Sequence, residues 1–192
     1  MNTTSEQIYK YVKYLTAHIA RVREAMRRFI NDTDGLDYIG SIMSVGEKAQ
    51  TVAELTSRAD SHDKSKWQVD EFFPYLEHFY PIVGDVPEEG EDPDFDRACQ
   101  LHYERNDHHD RYWRIEGRDI NDMSITAICE MLADWVSMSV YSQRSPLIWY
   151  NENKEEVLEG MTEQNIQIVE TLLNRYFEPI YQTMMEEVNR KI

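Results

Sequence analysis

The sequence has few of the residues that break helices or form disulfide frameworks. Its 192 residues include 7 Gly, 6 Pro and 2 Cys, so Gly and Pro make up about 7% of the chain, against roughly 12% on average. This scarcity of turn-forming residues favours long helices over many short strands. Cys99 and Cys129 are too few for a disulfide framework, a zinc finger or an iron–sulfur cluster, and the reducing cytoplasm is the expected compartment.

Positive charge and long apolar segments are also scarce. The chain carries 20 Lys and Arg against 36 Asp and Glu, and this net charge of −16 disfavours binding to a nucleic-acid polymer or to an anionic membrane. The apolar runs fall short of the roughly 18 residues that a membrane span needs, and no secretory signal is visible at the start. The expected partner is therefore a small molecule, and assembly into a homo-oligomer remains open.

The sequence instead contains a series of helical patterns. Hydrophobic residues make up 41% of the chain, which is enough for one core, and we expect a single domain over 1–192. Ser5 can cap a first helix, whose apolar residues recur in steps of three and four from Ile8 to Phe29. The segments 31–46 and 82–94 are rich in Gly and acidic residues and predict loops.

The remaining patterns complete an all-α prediction. A core at about 5–150 is expected to carry the functional site, and the C-terminal helices are expected at about 152–190. After the first helix, further helices are predicted at about 47–61, 68–80, 93–107, 123–142 and 152–159, and from Thr162 onward with a kink at Pro179.

Histidines and acidic residues occupy similar positions on several of these helices. His18, His62, His102 and Asp134 each lie three or four residues from apolar positions, at the edge of a buried face, and Asp63 follows His62 directly. Buried imidazoles and carboxylates need hydrogen-bond partners or a metal. Together they suit divalent Mn, Fe, Co, Ni or Zn.

The spacing of the later histidines leaves two arrangements open. Six residues turn a helix by about 600°, so His102 and His108 cannot face the same way on one unbroken helix. Either the helix ends near Asn106 and His108 turns back, or His109 is the ligand and His108 faces the substrate or supports a ligand. The spacing favours His109 as the ligand. His78 has no acidic residue at metal-ligand spacing, so a structural role is expected for it.

In this order, these residues resemble the HD-domain superfamily of metal-dependent phosphohydrolases. The segment from His62 to Trp67 reads H-D-x-S-K-W, and the segment from His102 to Trp113 reads H-x(3)-N-x-H-H-x(3)-W. Both resemble motifs of a small bacterial and phage family within that superfamily. Lys66 and the paired histidines also resemble the HD-GYP branch, but the Gly-Tyr-Pro segment of that branch is missing. Its absence argues against cyclic dinucleotide hydrolysis.

The resemblance implies an all-α HD-like bundle that holds one or two divalent metals. The implied metal ligands are His18, His62, Asp63, His102, His109 and Asp134. Asp63 would bridge two metals, and Lys66 would place a cation on a substrate phosphate. The residues expected to contact substrate are Lys66, Asn106, His108 and Trp113.

The expected activity is hydrolysis of a small phosphorylated molecule, and a nucleotide is the first choice. Two other functions remain open for the same residues. One is a di-iron oxygenase of the HD fold, and the other is a metal-stabilised binding protein without catalytic activity.

Overall fold

The computed structural model describes residues 4–42, 48–82, 84, 86–88 and 90–190. Within these residues the chain forms helices and turns without a β-strand, so the all-α prediction is confirmed. Each helix in this part of the chain is too short or too polar to cross a membrane. The helices are α1 (Ser5–Asn31), α2 (Gly35–Ile42), α3 (Lys48–Ser61), α4 (Val69–Phe79), α5 (Pro93–Arg105), α6 (Ile125–Ser142), α7 (Pro146–Val157), α8 (Glu163–Leu172) and α9 (Glu178–Asn189).

Helix α1 begins at a capping box in which Thr4 and Gln7 satisfy each other's backbone N–H groups. Its buried face is rotated relative to the predicted stripe. Ile8 is 39% exposed, whereas Tyr11 and His18 are buried. His18, which was predicted at the edge of the buried face, therefore lies inside the protein.

The core forms two clusters of apolar side chains. The larger cluster surrounds α6 and includes Val22 of α1, and the smaller cluster joins Leu15 of α1 to residues of α4 and α5. His18 lies between Leu15 and Val22 along the helix. The junction of the two clusters is therefore where the polar residues of the site enter the interior.

Two predicted boundaries are wrong. Helix α2 lies within the predicted loop 31–46, because Ile39 packs into the core and compensates for the glycines at Gly35 and Gly40. Residues 43–46 of that prediction lie outside the described residues. Helix α7 starts at Pro146 instead of about 152, because Ser145 caps it and proline is well suited to the first helical position.

The predicted irregularity near Pro179 takes the form of a π-helical turn. Residues Leu173–Phe177 form this turn between α8 and α9. Proline lacks a backbone N–H and its ring collides with the preceding turn, so the hydrogen-bond ladder must change before it. Phe177 and Tyr176 are buried there and pack on Phe29 of α1.

Candidate metal centre

A sharp turn after α3 delivers His62 and Asp63. The helix ends at Ser61, as predicted, and His62 is the first residue of the turn that follows. Asp63 adopts a left-handed backbone conformation with φ of 54° and precedes a short 3₁₀ turn, Lys64–Trp67. Such a conformation is uncommon for a residue with a side chain and often marks a functional site. Both side chains are buried.

The end of α5 delivers the three later histidines. The helix stops at Arg105, and Asn106 has an extended backbone. His108 and His109 then turn back toward His102. His109 Nε2 lies 3.0 Å from His102 Nε2, and His108 Nε2 lies 3.7 Å from Asp63 Oδ1. The helix therefore ends near Asn106 and His108 turns back, which is the first of the two predicted arrangements. His109 reaches the site as well.

One group of candidate ligands consists of His18, His62 and Asp134, which come from α1, the turn after α3, and α6. His18 Nε2 lies 3.2 Å from His62 Nε2 and 3.3 Å from Asp134 Oδ1. His62 Nε2 lies 3.8 Å from the same carboxylate oxygen. These atoms are close enough to coordinate a common ion.

A second group consists of Asp63, His102, His108 and His109. Asp63 Oδ1 lies 3.3 Å from His102 Nε2, and the other oxygen, Oδ2, lies 3.3 Å from His18 Nε2 of the first group. A single carboxylate thus contacts both groups, and its Oδ1 also lies 3.7 Å from His62 Nε2 of the first group.

The histidines are held by hydrogen bonds on their outer nitrogens. The Nδ1 atoms of His62 and His108 lie 2.9 and 3.2 Å from Glu130 Oε1, and His102 Nδ1 lies 2.9 Å from Glu71 Oε2. A carboxylate accepts hydrogen bonds, so these partners place the proton on Nδ1 and leave the Nε2 lone pair facing inward. Carboxylate–histidine pairs of this kind commonly orient metal ligands.

Ser137 fixes His18 in the same way. Its hydroxyl donates to the backbone carbonyl of His18 at 3.0 Å and accepts from His18 Nδ1 at 2.9 Å. The Nε2 atoms of His18 and His62 then face each other, 3.2 Å apart. A metal ion coordinated by both nitrogens would take the place of a proton between them.

Glu130 and Glu71 were absent from the sequence prediction. Each is buried and paired with an arginine: Glu130 with Arg58 at 3.0 Å and Glu71 with Arg105 at 2.7 Å. A usable signal was present in the sequence, because Glu130 interrupts the apolar segment of α6 and lies four residues before Asp134. A charge at that position requires buried partners.

Two buried polar atoms at the centre lack hydrogen-bond partners within the described part of the chain, which indicates whether a metal fits there. Asp63 Oδ1 and His108 Nε2 are buried and have no hydrogen-bond partner among the described residues. Leaving such groups unpaired is costly, and the structure brings them together. Both are good ligand atoms for a divalent transition metal. The buried His and Asp groups are therefore geometrically able to bind a metal ion.

In the absence of a metal, the surrounding charges favour a protonated His62 and a neutral His109. Burial alone would lower the pKa of His62, but Asp63, Glu130 and Asp134 outweigh it and raise the pKa to about 9. Burial would raise the pKa of Asp63, but Lys66, His62 and His102 hold it well below its usual value. Burial and the adjacent His108 and His102 lower the pKa of His109 well below its usual value, so this ring is neutral and free to coordinate.

The predicted substrate contacts occupy different places. Lys66 Nζ lies 2.7 Å from Asp63 Oδ2, at the centre itself. The Asn106 amide donates to Ser65 Oγ and to the His102 carbonyl, on the outer side of His102. The Trp113 indole donates to a backbone carbonyl and its ring packs against the main core. These contacts favour a positioning role for Asn106 and a packing role for Trp113, and His108 groups with the candidate ligands.

His78 lies apart from the centre. Its ring stacks on Phe95 at 3.6 Å between ring centroids, and its Nδ1 lies 3.1 Å from Asp92. This agrees with the structural role expected for it.

A cleft of about 560 Å³ reaches the centre from one side, where His109 and Asp134 form part of its wall. Trp135 and Trp149, with ring centroids 4.8 Å apart, supply much of its apolar lining. Arg111 contributes a cation to the same cleft. The cleft thus combines apolar walls, a cation and access to the candidate metal ligands.

Comparison with known proteins gives one match. No curated protein and no solved structure is detectably similar to the chain. One family model matches residues 7–175, which include every candidate ligand. The chain belongs to this family, DUF5662, a family of unknown function.

Proposed function

We propose that this protein is a metal-dependent phosphohydrolase that acts on a small phosphorylated substrate. The observation that carries the proposal is the shared carboxylate of Asp63, which contacts two groups of histidines and has a buried oxygen without a hydrogen-bond partner. This is the arrangement expected where one carboxylate bridges two divalent ions.

The two groups of ligands divide naturally between two metals. One site would use His18, His62, Asp134 and one oxygen of Asp63, and the other would use His102, His108, His109 and the second oxygen. Mn, Fe, Co, Ni and Zn all accept imidazole and carboxylate ligands. When bound, a metal pair lowers the pKa of coordinated water and neutralises charge on a phosphate under attack.

Residues of the chain would orient the substrate and balance its charge. Lys66 places an ammonium group beside Asp63 and can contact a phosphate oxygen as a point charge. Glu130 and Glu71 hold the imidazoles in a fixed orientation through their Nδ1 atoms. Arg111, at the wall of the cleft, pairs with Glu156 at 3.0 Å and would supply a second cation if a phosphate chain replaced this carboxylate.

The cleft favours a substrate with a planar apolar part. Trp135 and Trp149 line it, and the cleft volume of about 560 Å³ is within the range of pockets for small organic ligands. A nucleoside mono- or triphosphate fits these features, because its base can lie against the aromatic walls while its phosphate reaches the metals. This is our first candidate for the substrate.

The test begins with metal content and activity. Protein purified without chelator should contain divalent transition metal, and a panel of nucleotides should release phosphate with Mn, Co, Ni or Fe. The variants Asp63→Asn and Lys66→Met should lose activity at least 100-fold, while Lys154→Met, an exposed residue of α7, should retain it. Because Lys66 is not among the candidate ligands, Lys66→Met should keep its metal.

Other outcomes would replace the proposal. Iron with an O₂-dependent change in absorbance, and no phosphate release, would favour a di-iron oxygenase. Absence of bound metal, with melting unchanged in His62→Ala and Asp134→Ala, would exclude both enzymatic functions and favour a binding protein.

A further inference from the structure

A second pocket lies on the other side of Tyr14, whose ring is stacked on His18 at 6.2 Å between centroids. Its volume is about 260 Å³, and it is formed along one face of α1 and closed by side chains from the end of α4 and from α6. Three cations and three tyrosines line it: Lys10, Lys13, Arg21, Tyr14, Tyr80 and Tyr141. A cationic pocket is unexpected in a chain with a net charge of −16.

Arg21 is the most buried of the three cations that line the pocket. Its Nε donates to the Ser137 carbonyl at 3.1 Å and to Ser137 Oγ at 3.2 Å, which fixes the guanidinium in place. Its Nη2 is buried and has no hydrogen-bond partner among the described residues. A charged donor that is removed from water without an acceptor is costly, so this nitrogen needs a partner.

The two lysines extend the positive charge toward solvent. Lys10 pairs with Glu6 at 2.7 Å, one helical turn away, and this carboxylate offsets part of the positive charge of Lys10. Lys13 makes no ion pair with any residue that the structure describes. Since like charges on one helix face repel each other, this arrangement favours the binding of an anion between them.

The tyrosines give the pocket its apolar walls. Tyr14 and Tyr141 meet edge to face with ring centroids 5.3 Å apart, and the guanidinium of Arg21 lies 5.7 Å from the Tyr141 centroid. Aromatic rings around a cation provide stacking surface for a ligand that carries both an apolar body and a charged group.

We propose that this pocket binds a small organic anion. Its phosphate or carboxylate group contacts the guanidinium group of Arg21 and the ammonium group of Lys13, and its apolar body lies against Tyr14 and Tyr141. The pocket volume restricts the ligand to about the size of one ring with one anionic group. This site is separate from the candidate metal centre and does not depend on the proposed phosphohydrolase activity.

The experiment uses the full-length protein and calorimetric or NMR titration with phenyl phosphate and benzoate, with neutral phenol for comparison. Both anions are expected to bind at least tenfold more tightly than phenol. Lys13→Glu should weaken binding of the anions at least tenfold, while Lys154→Glu, which makes the same charge change on α7, should leave it unchanged. Arg21→Gln should weaken binding further. If Arg21→Gln is unstable, Lys13→Glu decides the test, because Lys13 is exposed and its substitution should not affect folding.

A third variant separates this pocket from the metal centre. Asp63→Asn should keep the affinity for both anions, because Asp63 does not line the pocket. The proposal is overturned if neither anion shows saturable binding, or if Lys13→Glu and Lys154→Glu bind equally well. Loss of binding in Asp63→Asn would also overturn it, because the anions would then be bound at the metal centre.

Discussion

The hydrogen bonds behind the histidines lead to a differential prediction for two buried glutamates. Glu130 contacts His62 of the first group and His108 of the second, whereas His102 is the one candidate ligand that Glu71 contacts among the described residues. If two metals bind as proposed, Glu130→Gln should weaken both, and Glu71→Gln should weaken only the metal that His102 ligates.

The magnitude follows from the geometry of the two carboxylates. In Glu130, Oε1 accepts from both histidines and Oε2 accepts from Arg58 at 3.0 Å. A glutamine has one acceptor oxygen, so its amide N–H₂ group must face either the histidines or Arg58, and both are donors. Loss of such a partner typically costs 10- to 100-fold in metal affinity, about 1.4–2.8 kcal/mol.

Glu71→Gln is a closely matched comparison. Its Oε2 accepts from His102 and Ser65, and its Oε1 accepts from Arg105 at 2.7 Å, so the substitution creates the same conflict beside a single ligand. The two variants differ mainly in how many candidate ligands lose support.

The assay is stepwise competition with a chelator of known affinity, together with the metal-to-protein ratio and circular dichroism as a check of folding. Glu130→Gln should shift both binding steps, and Glu71→Gln should shift one. Wild-type affinity for both metals in a folded Glu130→Gln protein would refute the assignment of Nε2 as the metal-binding nitrogen and Nδ1 as the nitrogen held by the carboxylate. So would an equal shift of both steps in the two variants.

Further predictions concern stability. Chelation should lower the melting temperature of the metal-loaded protein, because an ion present at 1,000 times its Kd stabilises the folded state by about 4 kcal/mol; the melting temperature of Asp63→Asn should respond much less. Gly35→Ala should reduce the free energy of unfolding by about 1–3 kcal/mol, since the added Cβ would lie 2.2 Å from the buried Phe29 ring, and chemical denaturation measures the loss. Gly40→Ala, in the same helix, meets open space and should raise the free energy of unfolding by up to about 1 kcal/mol in the same assay. Equal effects of the two glycine substitutions would contradict the packing argument.

Most helices were predictable from the sequence because they depend on local patterns. The spacing of apolar residues marked α1 and α6, and Thr162 marked the start of α8, whereas the cap of α1 is Thr4 and not the predicted Ser5. Helix α2 was missed because its stability depends on Ile39 packing into the core, which outweighs the glycines around it. Local propensity is a weak guide where tertiary burial decides.

The candidate site was only partly predictable. The residue types, their order and the His62–Asp63 pair indicated a metal centre, since such residues at the edge of a core need partners. The sequence did not reveal that His108 and His109 both reach the centre, because that depends on α5 ending at Arg105. Nor did it reveal Glu130 and Glu71, whose roles depend on contacts across 68 and 31 residues.

The sequence by itself therefore determined the helical class and the supply of ligand atoms, because periodicity and residue chemistry are properties of short segments. The tertiary structure decided which atoms face inward. Helices from distant parts of the chain bring Glu130, Glu71 and Ser137 behind the histidines, and these partners turn the Nε2 atoms toward Asp63. The direction of a lone pair depends on the neighbour that fixes the opposite nitrogen, and only the packed helices supply that neighbour.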